Sequence, residues 1–202
     1  MVISNIQELE TTIMGCEKCP RLRSVTPTPM PHSIYAKDKI RLLIVGRNPG
    51  LEHDYTEVTK KTPMEFMEFY SWGYRESRVG KYIEKHLGKN VWDYCAITNL
   101  CKCSSPGNST LKEEEINNCV DYLKNQILLF KPEIILTLGK DALLYGIGEK
   151  FEYLIKDDAF FNTYNDNLKL YAIYHPTYTI YSKYGKALNE IKLEKLKRVL
   201  EQ

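Results

Sequence analysis

Four short apolar segments constrain the fold of this chain more than any other feature of its sequence. They cover residues 42–45, 91–100, 133–138 and 168–174, and each ends in glycine or polar residues. Patterns typical of helices separate them, at 5–14, 78–87, 110–130, 140–145 and after 185. Apolar runs alternating with helices are typical of buried parallel strands. We therefore expect an α/β protein with a three-layer α/β/α architecture and a central four-stranded parallel sheet.

Length and composition set the broad class. The 202 residues suffice for one domain over 1–202 that buries a core without disulfides. No run is long enough to cross a bilayer, and the first 14 residues lack the basic start and apolar stretch of a signal peptide. We expect an intracellular, cytoplasmic monomer with no membrane association. A net charge of +2 does not by itself identify a nucleic-acid binder.

Polar side chains gather where three of the expected strands end. The first strand runs into Gly46-Arg47-Asn48-Pro49-Gly50, followed by Glu52, His53 and Asp54; the second ends at Asn99, and the fourth at His175-Pro176-Thr177. Carboxyl ends of parallel strands meet at one edge of a sheet, where α/β proteins bind ligands. One pocket lined by all three is expected. Spacing alone favours neither of two roles for Asn99, which are capping of the loop and recognition of a ligand.

The motifs in their order identify a family. The chain resembles the uracil-DNA glycosylase superfamily, and most closely its iron–sulfur branch, usually called family 4. The shared motifs are GRNPG at 46–50, ITN at 97–99, KCSSPGN at 102–108, LG at 138–139 and HPTY at 175–178. They are collinear over about residues 14–185, which is far more specific than any single motif.

Cysteine spacing fits the same branch. A CxxC alone is shared by redox, zinc and iron–sulfur sites, and six cysteines in an intracellular chain favour metal binding, catalysis or burial over disulfides. The resemblance implies a structural [4Fe-4S] cluster held by Cys16, Cys19, Cys103 and Cys119. Zinc is the alternative, since four thiolates suit both. Cys95 is expected in the core, and Cys101 stays open as a further ligand.

The resemblance also implies roles at the strand ends. Asn99 would read the edge of uracil, and His175 would hydrogen-bond the uracil oxygen as negative charge develops. Asn48 falls where the mismatch-specific branch has a water-holding Asn, and Glu52, His53 and Asp54 are further candidates for a base. Gly46 and Arg47 belong to the base-binding wall. Arg47 replaces an acid of the branch and is expected to contact a DNA phosphate or the base.

A second departure concerns the ring that stacks on the base. The branch presents a Phe before a Val-Gly pair, where this chain has Arg78. The candidates for the ring are Tyr70, Tyr74 and Tyr55, with packing onto the sheet as the alternative for each.

DNA contacts are expected beyond His175. Thr177, Tyr178 and Lys183 are the leading candidates; Tyr178, Ile180 or Tyr181 would fill the gap left by the flipped base, and Lys183 and Lys186 would meet phosphates.

The implied function is a DNA glycosylase that hydrolyses the N-glycosidic bond of uracil, or a related deaminated base, and initiates base excision repair. Its partner would be DNA containing that base, with mismatched thymine and hypoxanthine as other candidate bases. One alternative is a non-catalytic iron–sulfur protein of the same fold that senses DNA damage. Another is an unrelated zinc or iron–sulfur protein on a generic α/β sheet.

Overall fold

The core of the protein is a six-stranded sheet. The computed structural model describes residues 3–26, 28–50, 63–148, 161–163 and 168–202. The strands are β1 (Ser33–Ile34), β2 (Leu42–Gly46), β3 (Cys95–Asn99), β4 (Ile134–Leu138), β5 (Phe161–Thr163) and β6 (Leu168–Ile173), in the order β1-β3-β2-β4-β6-β5. The four inner strands are parallel, which confirms the predicted fold class. The two short outer strands, β1 and β5, pair antiparallel and were not predicted.

Helices cover both faces of the sheet. The α-helices are α1 (Ile6–Met14), α2 (Pro20–Arg23), α3 (Pro63–Glu76), α4 (Arg78–Leu87), α5 (Glu113–Phe130) and α6 (Lys183–Leu200). A π-helix spans Ala142–Ile147, and 3₁₀ turns span Lys89–Asp93, Pro106–Asn108 and Pro176–Ile180. In the described part of the chain, no helix is both long and apolar enough to span a membrane.

Alternating strand residues divide the core into two layers. Leu43 and Val45 of β2 face one layer, where α1 and α5 contribute their buried side chains. Leu42 and Ile44 face the other layer, formed with α4 and α6. Side chains along a strand point to opposite faces in turn, so a strand covered on both sides must be apolar throughout. This explains why the strands read as continuous apolar runs.

Three local predictions were wrong. Residues 89–93 form a 3₁₀ turn, so β3 begins at Cys95 and the predicted strand from 91 is shorter. Helix α3 lies between the first strand and residue 78, where no helix was predicted. Helix α5 begins at Glu113, three residues after the predicted start at 110, because the Glu115 carboxylate accepts the Lys112 N–H at 2.8 Å.

Candidate active site

A cavity of about 480 Å³ opens at the carboxyl edge of the parallel strands. It is bounded by the loop after β2, the end of β3, the turn after β4, helix α3 and the residues after β6. Eight predicted site residues line it: Gly46, Arg47, Asn48, Tyr70, Tyr74, Asn99, His175 and Thr177. The structure thus brings the three strand ends together. Glu52, His53, Asp54 and Tyr55 lie outside the described residues.

The amide of Asn99 lies at the inner wall of this cavity. Asn99 is the last residue of β3 and pairs with Gly46 of β2. A Cβ atom at position 46 would lie only 2.5 Å from Asn99 Oδ1, so the glycine leaves the space that the amide occupies. Asn99 Nδ2 donates to the Tyr70 hydroxyl at 3.2 Å. The amide is therefore held in one orientation by a neighbouring strand and by α3.

Arg47 and Asn48 form the wall beside it. Arg47 Nε donates to Asn48 Oδ1 at 2.7 Å, and Arg47 Nη1 lies 3.9 Å from Asp141 Oδ2. Asn48 Nδ2 lies 3.5 Å from Ser105 Oγ. A carbonyl oxygen accepts two hydrogen bonds. Among the described residues, Arg47 is the only donor to Asn48 Oδ1, which leaves one acceptor position on that oxygen.

His175 follows the end of β6 and is half-buried. Its Nδ1 accepts the backbone N–H of Thr177 at 3.3 Å and also contacts the Thr177 hydroxyl. Because a backbone N–H can only donate, the proton of the neutral ring lies on Nε2. Burial, and next the positive charge of Arg47, lower the pKa of His175 below its usual value. At neutral pH the imidazole is therefore uncharged and carries an Nε2–H donor.

Sequence reasoning missed several residues of the cavity wall. Lys140 and Asp141 follow Gly139 directly after β4, and Ser77 and Asn108 contribute from the loops beside α4 and α5. The rule that identified the other strand ends applies equally to β4, so Asp141 was detectable. Arg78, the first residue of α4, also lines the cavity beside Tyr70 and Tyr74.

The residues that follow His175 form an exposed aromatic surface outside the cavity. Tyr178, Ile180 and Tyr181 are exposed, Tyr181 by 86%. The Tyr178 ring stacks on Tyr174 with the centroids 5.2 Å apart. Lys183 is the exposed first residue of α6. These residues follow the end of β6 along the chain, directly after Thr177 of the cavity wall.

Five cysteines lie in or against one core layer. Cys101, Cys103 and Cys119 are buried there, and Cys16 and Cys19 pack against it. Burial, and next the nearby Cys119 thiolate, raise the pKa of Cys103 to about 12, and Cys16 and Cys19 act in the same direction. A hydrogen bond from Cys101 lowers the pKa of Cys119.

Convergence of these thiols on one point is not observed. Within the described ranges, no three His, Cys, Asp or Glu side chains are grouped as a single metal ion would require. Cys95 is buried in the core, as expected, and belongs to the opposite layer.

The chain is also similar in sequence to known proteins. The family model of the Uracil DNA glycosylase superfamily matches residues 32–197. A type-4 uracil-DNA glycosylase of Sulfurisphaera tokodaii is 26% identical over 203 residues, covering 98% of this chain and 86% of that protein. One of Saccharolobus solfataricus is 27% identical over 204 residues, covering 98% and 88%. One of Pyrobaculum aerophilum is 30% identical over 156 residues, covering 74% and 70%.

Proposed function

Because the chain belongs to the uracil DNA glycosylase superfamily, we propose that it hydrolyses the N-glycosidic bond of uracil, or a related deaminated base, in DNA. The observation that carries the proposal is the meeting of the Asn99 amide and the His175 imidazole in one cavity. The first offers a donor and an acceptor for a base edge, and the second offers an uncharged N–H donor. This reaction initiates base excision repair.

We assign recognition of the base to Asn99. The target nucleotide must leave the duplex, which costs a few kcal/mol that contacts inside the cavity offset. A side-chain amide presents one N–H₂ group and one oxygen, which match neighbouring acceptor and donor positions on uracil. The bond from Nδ2 to Tyr70 and the clearance over Gly46 support a fixed orientation of that amide. Tyr70, Tyr74 and the guanidinium of Arg78 are the candidates for the flat surface below the base.

Stabilisation of the leaving base falls to His175. As the glycosidic bond breaks, negative charge develops on the base. A positioned donor at this charge is typically worth about 3 kcal/mol in the transition state. The Nε2–H of a neutral imidazole suits this role, because Thr177 holds the ring through Nδ1.

The water is assigned to Asn48. Among the described residues only Arg47 donates to its Oδ1, so we expect this oxygen to orient a water molecule without removing its proton. The sugar must then develop most of its cationic character first. Arg47 adds positive charge beside the departing base or a phosphate. Asp141, 3.9 Å from Arg47, limits that charge. Glu52, His53 and Asp54 remain predictions for a base.

A [4Fe-4S] cluster held by Cys16, Cys19, Cys103 and Cys119 belongs to the same proposal. Zinc needs four thiolates at about 2.3 Å from one ion, whereas each iron of a cubane takes its own thiolate. The four thiols lie in or against the same core layer, which supports their binding of one shared group. These residues would hold the cluster between the amino-terminal segment and the loop after Asn99, and the cluster would take no part in hydrolysis.

DNA contacts are assigned to the surface after His175. Thr177 lines the cavity, and the exposure of Tyr178, Ile180 and Tyr181 supports their entry into the space that the flipped base leaves. The exposed ammonium group of Lys183 suits a phosphate, and each such contact adds to the salt dependence of binding. We expect the protein to act as a monomer.

The test is release of free base by anaerobically purified holo-protein. Labelled duplexes carry U, T opposite G, hypoxanthine or no lesion, and alkali cleaves the abasic sites. We expect cleavage at uracil that Asn99→Ala and His175→Ala each reduce to a small remaining rate. Asn125→Ala and His86→Ala are matched controls, because both residues are half-buried and lie on helices outside the cavity wall.

A binding-only function is the second candidate, since Arg47 stands where the family-4 branch carries an acid. Tight binding of uracil DNA without release of any base would select it over the glycosylase.

A further inference from the structure

Lys102 is a buried side chain that no step above uses. It is 1% exposed, between the sheet and α5. Its Nζ donates to Thr98 Oγ1 at 2.8 Å, to the Asn99 backbone oxygen at 2.5 Å and to Gln126 Oε1 at 2.7 Å. An ammonium group has three N–H donors, and all three have an acceptor here. A buried polar group with every bond satisfied is held rigidly, because each lost bond leaves an unpaired group away from water.

The bond to Asn99 closes the turn that follows β3. On its other side, the Leu100 N–H donates to the Gly46 oxygen at 2.8 Å, and the Cys101 N–H donates to the Arg47 oxygen at 2.9 Å. The turn is therefore bound to the end of β2 by its own amides and to the core by Lys102. The Asn99 side chain branches from the backbone at the start of this turn. The backbone of the turn therefore sets the direction of the side-chain amide.

The acceptors of Lys102 are themselves fixed. Gln126 Nε2 donates to the Pro31 oxygen at 2.6 Å and lies 3.1 Å from His32 Nδ1. Thr98 Oγ1 lies 2.9 Å from the same Pro31 oxygen. A network with bonds at every member behaves as a rigid support for the group it holds.

We propose that Lys102 is a positioning residue for base recognition: its ammonium group fixes the peptide after Asn99 and so aims the Asn99 amide at the base. This inference rests on the proposed function for its kinetic part. Its structural part, the hold on residues 99–102, is measurable without any catalysis.

The test compares Lys102→Met with Lys192→Met. Lys192 is an equally buried lysine of α6, 1% exposed, whose Nζ donates to a strand oxygen, that of Ala172, at 2.9 Å from the face of the sheet that α6 covers. Both variants lose a buried ammonium group, but only the first lies behind Asn99. For each anaerobically purified holo-protein, visible absorbance checks the cluster, and uracil excision gives kcat/KM. Affinity for a duplex with an abasic analogue measures DNA binding without a base to read. Hydrogen exchange is followed at the Leu100 and Cys101 amides.

For Lys102→Met we expect kcat/KM to fall by about 10-fold or more, since a charge-assisted hydrogen bond is lost. Exchange at Leu100 and Cys101 rises by about the same factor. Affinity for abasic DNA is unchanged, because the missing base has no edge to read. Lys192→Met keeps wild-type kcat/KM and exchange. If Lys102→Met does not fold, Gln126→Leu removes one acceptor of Lys102 from the side of α5, and a several-fold loss of the same kind is expected.

Two results overturn the proposal: unchanged exchange at Leu100 and Cys101 in Lys102→Met, or equal losses in both lysine variants. If the wild-type protein releases no uracil, the proposed function fails by itself. The exchange comparison then still decides whether Lys102 holds the turn.

Discussion

Replacing Gly46 with alanine tests how closely the Asn99 amide must be placed. The added Cβ would lie 2.5 Å from Asn99 Oδ1, whereas ordinary contacts begin near 3.4 Å. The oxygen must therefore move by about 0.9 Å, and displacements of about 1 Å at a reacting site cost on the order of 100-fold in rate. The backbone of Gly46 lies outside the left-handed region, so alanine is allowed there, and the fold should change in stability by less than about 1 kcal/mol.

The assay is uracil excision under single-turnover conditions with enzyme in excess, together with thermal unfolding. We expect Gly46→Ala to be about 100-fold slower, with a Tm within a few degrees of wild type. A double-mutant cycle localises the effect, since the methyl group acts only through Asn99. In an Asn99→Ala background, Gly46→Ala should change the remaining rate less than about twofold. A wild-type rate for Gly46→Ala, or equal losses in both backgrounds, would refute this reasoning.

Three further predictions concern protonation, the cluster and the duplex. The pKa of His175 is lowered by burial and by Arg47, so the excision rate should fall only at acid pH, where the protonated ring can no longer accept at Nδ1. Arg47→Gln raises that pKa and should move the acid limb of the pH–rate profile upward; an unmoved limb contradicts this. Cys119→Ala should lose the visible absorbance of the holo-protein, whereas Cys95→Ala, in the opposite core layer, should retain it; equal loss in both excludes the assignment. Tyr181→Ala should leave the Tm unchanged, because the ring is 86% exposed, but should slow excision from duplex more than from single-stranded DNA; equal slowing rules out a wedge.

The inner strands could be predicted because burial on both faces leaves a direct trace in the sequence. The apolar runs of β2 and β4 match their strands to within a residue. The edge strand β1 has no such apolar run and could not be predicted, because its two residues are defined as a strand only by pairing with β3. Residues 91–92 are as buried as a strand, yet they form a 3₁₀ turn, and an apolar run does not distinguish the two.

Helix α3 was not predicted because its apolar residues show no clear helical periodicity. It carries a buried Tyr70 and an exposed Trp72, so its aromatic residues do not mark one face. The residues of the cavity wall likewise divide into those that the sequence predicted and those that it did not. Residues at strand ends were predicted because parallel strands place their carboxyl ends at one edge of the sheet. Tyr70 was one of several candidate rings, and only the path of α3 shows which of them line the cavity.

At the start of α5, a contact with a residue distant in sequence overrides a local sequence pattern. Thr110 and Glu113 have the spacing of a capping box, but Glu115 caps the helix. The Arg21 guanidinium binds the Glu115 carboxylate through Nε at 2.7 Å and Nη2 at 2.6 Å. A partner 94 residues away thus fixes where the helix begins, and no local rule contains it.

The order of the strands also bears on how the newly synthesised chain behaves. His175 comes after every described strand, yet β6 pairs with β4 inside the sheet. A nascent chain that has emerged only as far as β4 carries Asn99 and Gly46 but not the imidazole, nor α6 to cover its second apolar face. Contacts between residues so distant in sequence form late in folding. Unfinished chains would therefore be unable to cut bases from DNA, and competence would arise in one step when the carboxyl-terminal third docks.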